Sequence, residues 1–275
     1  MYNYSNEYLI TIRGLMTSTT NVDVRDLERR VKDMYRMVAL RPQDSYHFEM
    51  GRSLAERLGY PSALLDRVPA EAIESFAGVG CYLDLAAPTA GDRVLDLGSG
   101  SGTDTFAIAH LIGPGGHVTG LDMTDEQLAK ASRLREAAGV GNVEFVHGYI
   151  HDLPFPEGSF DLVVSNGVIN LAADKAAVFR GVAQVLAPGG RLALADIVTE
   201  TALTEAITCN AELWASCIGG AVQVDAYRAS IEAAGLRIDS FHDNPQYEFL
   251  SSSAQGASRT YGIKSISLLA VKPAH

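Results

Sequence analysis

Cysteine is scarce in this chain of 275 residues, with only Cys81, Cys209 and Cys217 present. No two of them form a C-x-x-C pair, which argues against a structural zinc site, and no metal is expected. Three thiols are too few, and odd in number, for a disulfide framework, and they fit a reducing cytoplasm. Positive charge is also in short supply. Lys and Arg number 22 against 33 Asp and Glu, for a net charge of −11. A nucleic-acid binder needs concentrated basic residues to displace phosphate counterions, so DNA and RNA are excluded as expected partners. Anionic membrane surfaces are disfavoured on the same ground. No apolar run approaches the roughly 20 residues of a membrane helix. The opening Met1-Tyr2-Asn3-Tyr4-Ser5-Asn6 has neither a basic stretch nor an apolar one, so no signal peptide is expected and the localisation expected is cytoplasmic.

The remaining composition is globular, with 47% hydrophobic and 20% charged residues. Residues 1 to about 21 show no periodicity and read as an arm. Leu27, Val31, Met34, Tyr35 and Val38 then recur at helical spacing, with Asp23 and Asp26 at the start and Arg41-Pro42 at the stop. Further helices are predicted over Phe48–Leu58 and from Pro69 to about Gly78. Residues 1–90 therefore read as an N-terminal arm and helical cap. An arm without a core of its own leaves a homo-oligomer open.

From residue 91 to 275 strands and helices alternate. Strands are predicted at Arg93–Leu97, His117–Leu121, Val143–Val146, Phe160–Ser165 and Arg191–Ala195, the last entered through a Pro188-Gly189-Gly190 turn. Helices are predicted over 103–112, 125–138, 174–186 and 225–234, with a helical insertion near 203–221. Strands near 236–241 and 263–271 have no predicted helix between them and are expected to pair antiparallel at one edge. This alternation predicts an α/β fold with a Rossmann-like doubly wound sheet.

The strongest motif is Asp96-Leu97-Gly98-Ser99-Gly100-Ser101-Gly102-Thr103, where a buried strand turns into a helix. Glycines allow a tight turn and close ligand approach, and the helix start offers free N–H groups. Asp122 ends the next strand, where an acid can bind ribose hydroxyls. A dinucleotide loop reads G-x-G-x-x-G, and Thr103 stands in the place of its last glycine, which weighs against a nicotinamide-dependent oxidoreductase. An acid ahead of the glycines suits a ligand with a cationic amino-acid end, such as S-adenosylmethionine.

Five segments together resemble the class I S-adenosylmethionine-dependent methyltransferases. They are Val94–Gly102, Gly120-Leu121-Asp122-Met123-Thr124, Asp152-Leu153-Pro154-Phe155, Ser165–Leu171 and Leu186–Leu192. The Met-Thr pair after Asp122 and the Ser165–Leu171 stretch point to the arsenite methyltransferase-like branch. The resemblance implies a seven-stranded sheet and S-adenosylmethionine as cofactor, with S-adenosylhomocysteine as product. It implies that Asp96 and the backbone of Gly98, Ser99 and Gly100 hold the methionine end. Asp122 would bind ribose, Met123 and Ile150 would flank the adenine, and Ser165 and Asn166 would sit near the sulfonium. Tyr149 stands where relatives often carry an acid.

Arsenic(III) is thiophilic and needs about three converging thiolates, by the softness rule that governs similar ions. The family pattern places one in a Gly-Cys-Gly segment, where this chain reads Gly78-Val79-Gly80. It places another after Ser-Asn, where this chain has Gly167. Only Cys217 matches. Two of the three cysteines are thus missing, and the expected reaction is methyl transfer to a small organic acceptor, apolar or aromatic, such as a natural product of secondary metabolism. C-methylation and a coupled cyclisation are open. Arsenite methylation and a non-catalytic cofactor-binding role are the alternatives. Substrate contacts are expected from Tyr35, Phe48, Trp214 and Cys217, with Tyr46, Phe76 and Tyr82 as further aromatics. An acceptor that must lose a proton needs a base within reach, and His151, Tyr149, His47 and Glu49 are the candidates.

Overall fold

The computed structural model describes residues 23–208 and 218–274. Trp214 and Cys217, both expected at the substrate site, lie outside the described residues with the rest of 209–217 in the predicted insertion, as does the N-terminal arm.

The cap begins with α1, Val24–Leu40. Asp23 caps it, its carboxylate accepting from the backbone N–H groups of Arg25 and Asp26 at 3.0 and 3.3 Å. Its apolar stripe, Leu27, Val31 and Val38, is buried. Four short helices follow: α2 (Arg52–Leu58), α3 (Ser62–Leu65), α4 (Ala70–Glu74) and α5 (Leu83–Ala86). The helix expected from Phe48 starts only at Arg52, because Gly51 precedes it at φ 90°. The one expected from Pro69 to Gly78 stops at Glu74.

The sheet domain follows as β1 (Arg93–Leu97), α6 (Thr103–Ile112), β2 (His117–Asp122), α7 (Asp125–Ala138), β3 (Val143–His147), β4 (Phe160–Asn166), α8 (Lys175–Val185) and β5 (Leu186–Val198). It ends with α9 (Glu205–Thr208), α10 (Val224–Ala233), β6 (Arg237–Asp243), α11 (Ser252–Tyr261) and β7 (Lys264–Val271). The seven strands lie in the order β3-β2-β1-β4-β5-β7-β6. The first five are parallel, and β7 runs antiparallel between β5 and β6. This is the class I methyltransferase sheet.

Two expectations need correction. A helix does separate the last two strands. It is polar, SSAQGASRTY, so the apolar pattern gave no sign of it. Its end signals are clear, however: Ser251 Oγ accepts from the Ala254 N–H at 3.1 Å, and Gly262 closes it at φ 63°. The Pro188-Gly189-Gly190 turn also lies within β5 and not before it. Register jumps there from Phe160↔Leu186 to Leu162↔Arg191, so β5 bulges with Gly189 at φ 78°.

Successive residues of β1 face opposite sides of the sheet. Val94 joins a core with Phe106, Val118, Leu162 and the cap residues Leu27, Leu54, Phe76 and Tyr82. Leu95 and Leu97 join a second core with Val163, Phe179, Tyr227 and Leu268. Cap and sheet therefore share one apolar cluster on the first side.

Because that cluster is common, cap and sheet should unfold together. Leu54, 1% exposed, tests this. Leu54→Ala should lower stability by about 2–5 kcal/mol. Calorimetry should then show a single transition at reduced temperature, whereas two separated transitions would mean an independent cap.

Candidate functional site

The parallel strands β1 to β4 end at a common rim, where open α/β sheets bind ligands. A cavity of about 290 Å³ lies there. Its floor is Gly98 and Gly100, one side is Asp122, Met123, Tyr149 and Ile150, and the other is Asn166 and Val168. The cap helix α1 walls it with Leu27, Val31 and Tyr35. Side chains of α7 hold that helix in place: Gln127 Nε2 donates to the Tyr35 carbonyl at 2.9 Å. Arg36 pairs with Glu126 at 2.7 Å.

The loop between β1 and α6 carries three left-handed glycines, Gly98, Gly100 and Gly102. A Cβ on Gly98 would lie 2.5 Å from Val168 Cγ2. At Gly100 a Cβ would meet only the Gln127 side chain at 3.8 Å, so its bare backbone faces open space in the cavity wall. Asp122 fixes this loop. One carboxylate oxygen accepts from the Gly100 N–H at 2.9 Å and the other from the Thr124 N–H at 2.8 Å. Burial raises the pKa of Asp122. Between the glycines, Ser99 Oγ is buried with no hydrogen-bond partner among the described residues. This bare backbone cradle with a carboxylate at its side fits the methionine and ribose portions of S-adenosylmethionine.

The other expected residues are placed as follows. Asp96 is 2% exposed and does not line the cavity; its carboxylate accepts from Thr105 Oγ1 at 2.6 Å, behind the loop. Ser165 is buried, its hydroxyl 3.5 Å from the Leu97 carbonyl. His151 and Tyr149 line the cavity and pack on each other, with ring centroids 5.4 Å apart. They follow β3, and Asn166, which lines the same cavity, ends β4. His47 and Phe48 do not line the cavity; Phe48 stacks behind Tyr35 at 6.1 Å, and His47 packs edge-on against Phe48 at 4.7 Å. Glu49 pairs with Arg57. Phe76 and Tyr82 are core residues.

Two partners of the expected Asn166, Asp104 and Tyr60, were not among the expected residues. Asp104, in the first turn of α6, is buried. Its Oδ1 accepts from the Tyr60 hydroxyl at 2.6 Å, and its Oδ2 from the Tyr82 hydroxyl at 2.9 Å and from Asn166 Nδ2 at 3.2 Å. Asn166 also donates to the Gly80 carbonyl at 3.0 Å and accepts from the Val79 N–H at 2.8 Å. The sequence placed Asp104 at a helix start beside the glycines, which was the one available signal. Tyr60 and Tyr82 reach it from 44 and 22 residues away.

The two positions where the arsenite pattern has cysteine meet here. A Cβ on Gly167 would lie 3.1 Å from Val79 Cγ1. Val79 is 1% exposed, so its methyls fill the space between them. Cys81 does not line the cavity, and burial pushes its thiol up to about 12. Among the described residues no group of three His, Cys, Asp or Glu side chains could hold a metal ion, and no helix is long and apolar enough to cross a membrane.

Residues 88–235, over half of the chain, match the family model described as a methyltransferase domain. The chain belongs to that family. It is similar to an arsenite methyltransferase of Halobacterium salinarum, 40% identical over 190 residues, which cover 68% of this chain and 48% of the relative. It is similar to another of Aquipseudomonas alcaligenes, 45% identical over 52% of this chain and 43% of the relative. The chain thus spans about half the length of the curated relatives it matches. A solved arsenic(III) S-adenosylmethionine methyltransferase from Chlamydomonas reinhardtii superposes with a TM-score of 0.64 at 29% identity, covering 82% of this chain and 74% of that one. The expected family, fold and S-adenosylmethionine-dependent class are met at this level.

The buried acids give the protein a pH signature. Burial raises Asp96 to about 8, with neighbouring Asp104 adding to the shift, and burial raises Asp104 too. A carboxyl that binds its proton more tightly in the fold than at its unfolded value of about 3.9 stabilises fully below that value. The contribution is lost as pH climbs through the folded value. Between about pH 5 and about pH 9, Asp96→Asn should therefore gain thermal stability relative to the wild type. Melting curves that stay parallel across the range would show that Asp96 does not titrate there.

Proposed function

We propose that this methyltransferase moves the methyl group of S-adenosylmethionine to a small organic acceptor that is apolar or aromatic. The sulfonium of the bound cofactor supplies an activated methyl group, and the chain's own residues position the partners. The backbone of Gly98 and Gly100 holds the methionine end. Asp122, already oriented by two backbone N–H groups, presents its remaining lone pairs to the ribose. Met123 and Ile150 flank the adenine, with Tyr149 and His151 closing that end. Asn166 sits at the opposite end, locked by Val79, Gly80, Tyr60 and Asp104. Leu27, Val31 and Tyr35 exclude water above the reacting atoms. Holding donor and acceptor in line is worth roughly 7–11 kcal/mol in favourable cases.

The acceptor class rests on one observation, the contact of Val79 with Gly167. A thiophilic ion needs thiolates converging there, and this chain offers methyl groups and a bare glycine. Arsenite as substrate is the second reading. It is favoured by the 40–45% identity to arsenite methyltransferases and by the sequence match at Cys217.

Calorimetry should show binding of S-adenosylmethionine, weakened at least about tenfold by Asp122→Ala, the loss of one charge-assisted pair. Methyl-labelled cofactor should then pass label to members of a panel of phenols, polyketides and terpenoids, and not to arsenite with glutathione. Absence of cofactor binding would refute the reading as a whole. Rapid arsenite methylation would overturn the acceptor class alone.

A further inference from the structure

Val168 follows the end of β4 by two residues and lines the cavity beside the glycine loop. A Cβ on Gly98 would fall 2.5 and 2.6 Å from its two methyl carbons and 3.0 Å from its Cβ. Its isopropyl group therefore sits on the bare backbone of Gly98, in the space a side chain there would take. That group has little room to move. Branching at Cβ restricts its χ1 rotation, and the backbone on both sides of it is pinned. Asn166 Oδ1 accepts from the Val79 N–H at 2.8 Å, and its Nδ2 donates to the Gly80 carbonyl at 3.0 Å. The Gly167 N–H donates to the Ala195 carbonyl at 2.8 Å, and the Val168 carbonyl accepts from the Leu171 N–H at 3.0 Å. Val168 is only half-buried, so part of this fixed apolar surface stays open to the cavity.

We propose that Val168 selects among S-adenosyl donors by the size of the alkyl group on sulfur, admitting methyl and disfavouring anything longer. The inference rests on the cofactor reading above. On that reading the backbone of Gly98 and Gly100 takes the methionine end, and Asp122 takes the ribose. A sulfonium is pyramidal, so its third substituent points away from the two chains that lead to those groups. Gly98 forms the floor and Asp122 one side, and the side opposite is Asn166 and Val168. The methyls of Val168 are the apolar part of that wall. An extra methylene against a rigid, close-packed wall forces side chains off their rotamers and costs affinity. The polar contacts of the site are the same for methyl and ethyl donors, so they cannot make this distinction.

The test is a ratio of dissociation constants, measured by calorimetry on the full chain. It compares S-adenosylmethionine with S-adenosylethionine, which carries the same charge and one more methylene. The wild type should bind the ethyl compound about tenfold more weakly, the lower end of what one methylene is worth in a fitted pocket. Val168→Ala removes both methyls and should narrow the difference to about twofold, since the pocket is then no longer fitted. Val168→Thr keeps the shape and exchanges one methyl for a hydroxyl, so its ratio should stay at the wild-type value. Val163→Ala deletes the same atoms from the second core on the same strand and should also leave the ratio unchanged. A wild type that binds both compounds equally, a ratio unmoved in Val168→Ala, or an equal shift in Val168→Thr or Val163→Ala overturns the assignment and leaves the cofactor reading standing. The wild-type comparison needs no variant, so it tests the assignment even where a substitution unfolds the chain. If the wild type binds neither compound, both readings fall.

Discussion

Three hydrogen-bond donors converging on the carboxylate of Asp104 hold this molecule's functional half together. Tyr60 comes from the loop after α2, Tyr82 from the residue before α5, Asn166 from the end of β4, and Asp104 itself from α6. A buried carboxyl needs its hydrogen-bond partners in place, so these segments have little freedom to shift separately. Close backbone approach follows from the same junction. A Cβ on Gly78 would fall 2.6 Å from Asn166 Nδ2, and one on Gly80 would fall 2.3 Å from Asn244 Nδ2. The cap is drawn onto the sheet at the rim where the glycine loop opens, and the cavity is what that meeting leaves.

The loop and its supporting strands were legible because their signals are local. A buried apolar run, three glycines and an acid at the next strand end follow directly from backbone sterics and helix-end chemistry. The five parallel strands were legible for the same reason. What escaped depended on distance in sequence or on polar composition. Helix α11 carries no apolar stripe, and only its caps, Ser251 and Gly262, mark it. The bulge at Gly189 reads as a turn in sequence, because only pairing with β4 reveals that the strand continues past it. Phe48 escaped for the same reason, since it stacks on Tyr35 and does not line the cavity.

The likeness to arsenite methyltransferases and the missing thiols are compatible in physical terms. Sheet, glycine loop and the Asn166 junction depend on backbone geometry and buried polar contacts. Thiolate coordination depends on a few side chains placed upon that frame. At Val79 and Gly167 the frame remains, with its two positions still in contact, but the chemistry there has become apolar. Family membership therefore constrains the donor side of the site far more than it constrains the acceptor.

The wall formed by α1 comes from a distant stretch of the chain. The cavity floor is built from residues 98–100 and 122–123, whereas Leu27, Val31 and Tyr35 come from a helix that precedes the first strand by more than fifty residues. Leu27 and Val31 also belong to the apolar cluster that the cap shares with the sheet, so the same side chains close the cavity and hold the helix in place. A wall supplied from far along the chain is therefore tied to the sheet's own packing, and a change of lining there is felt as a change of stability.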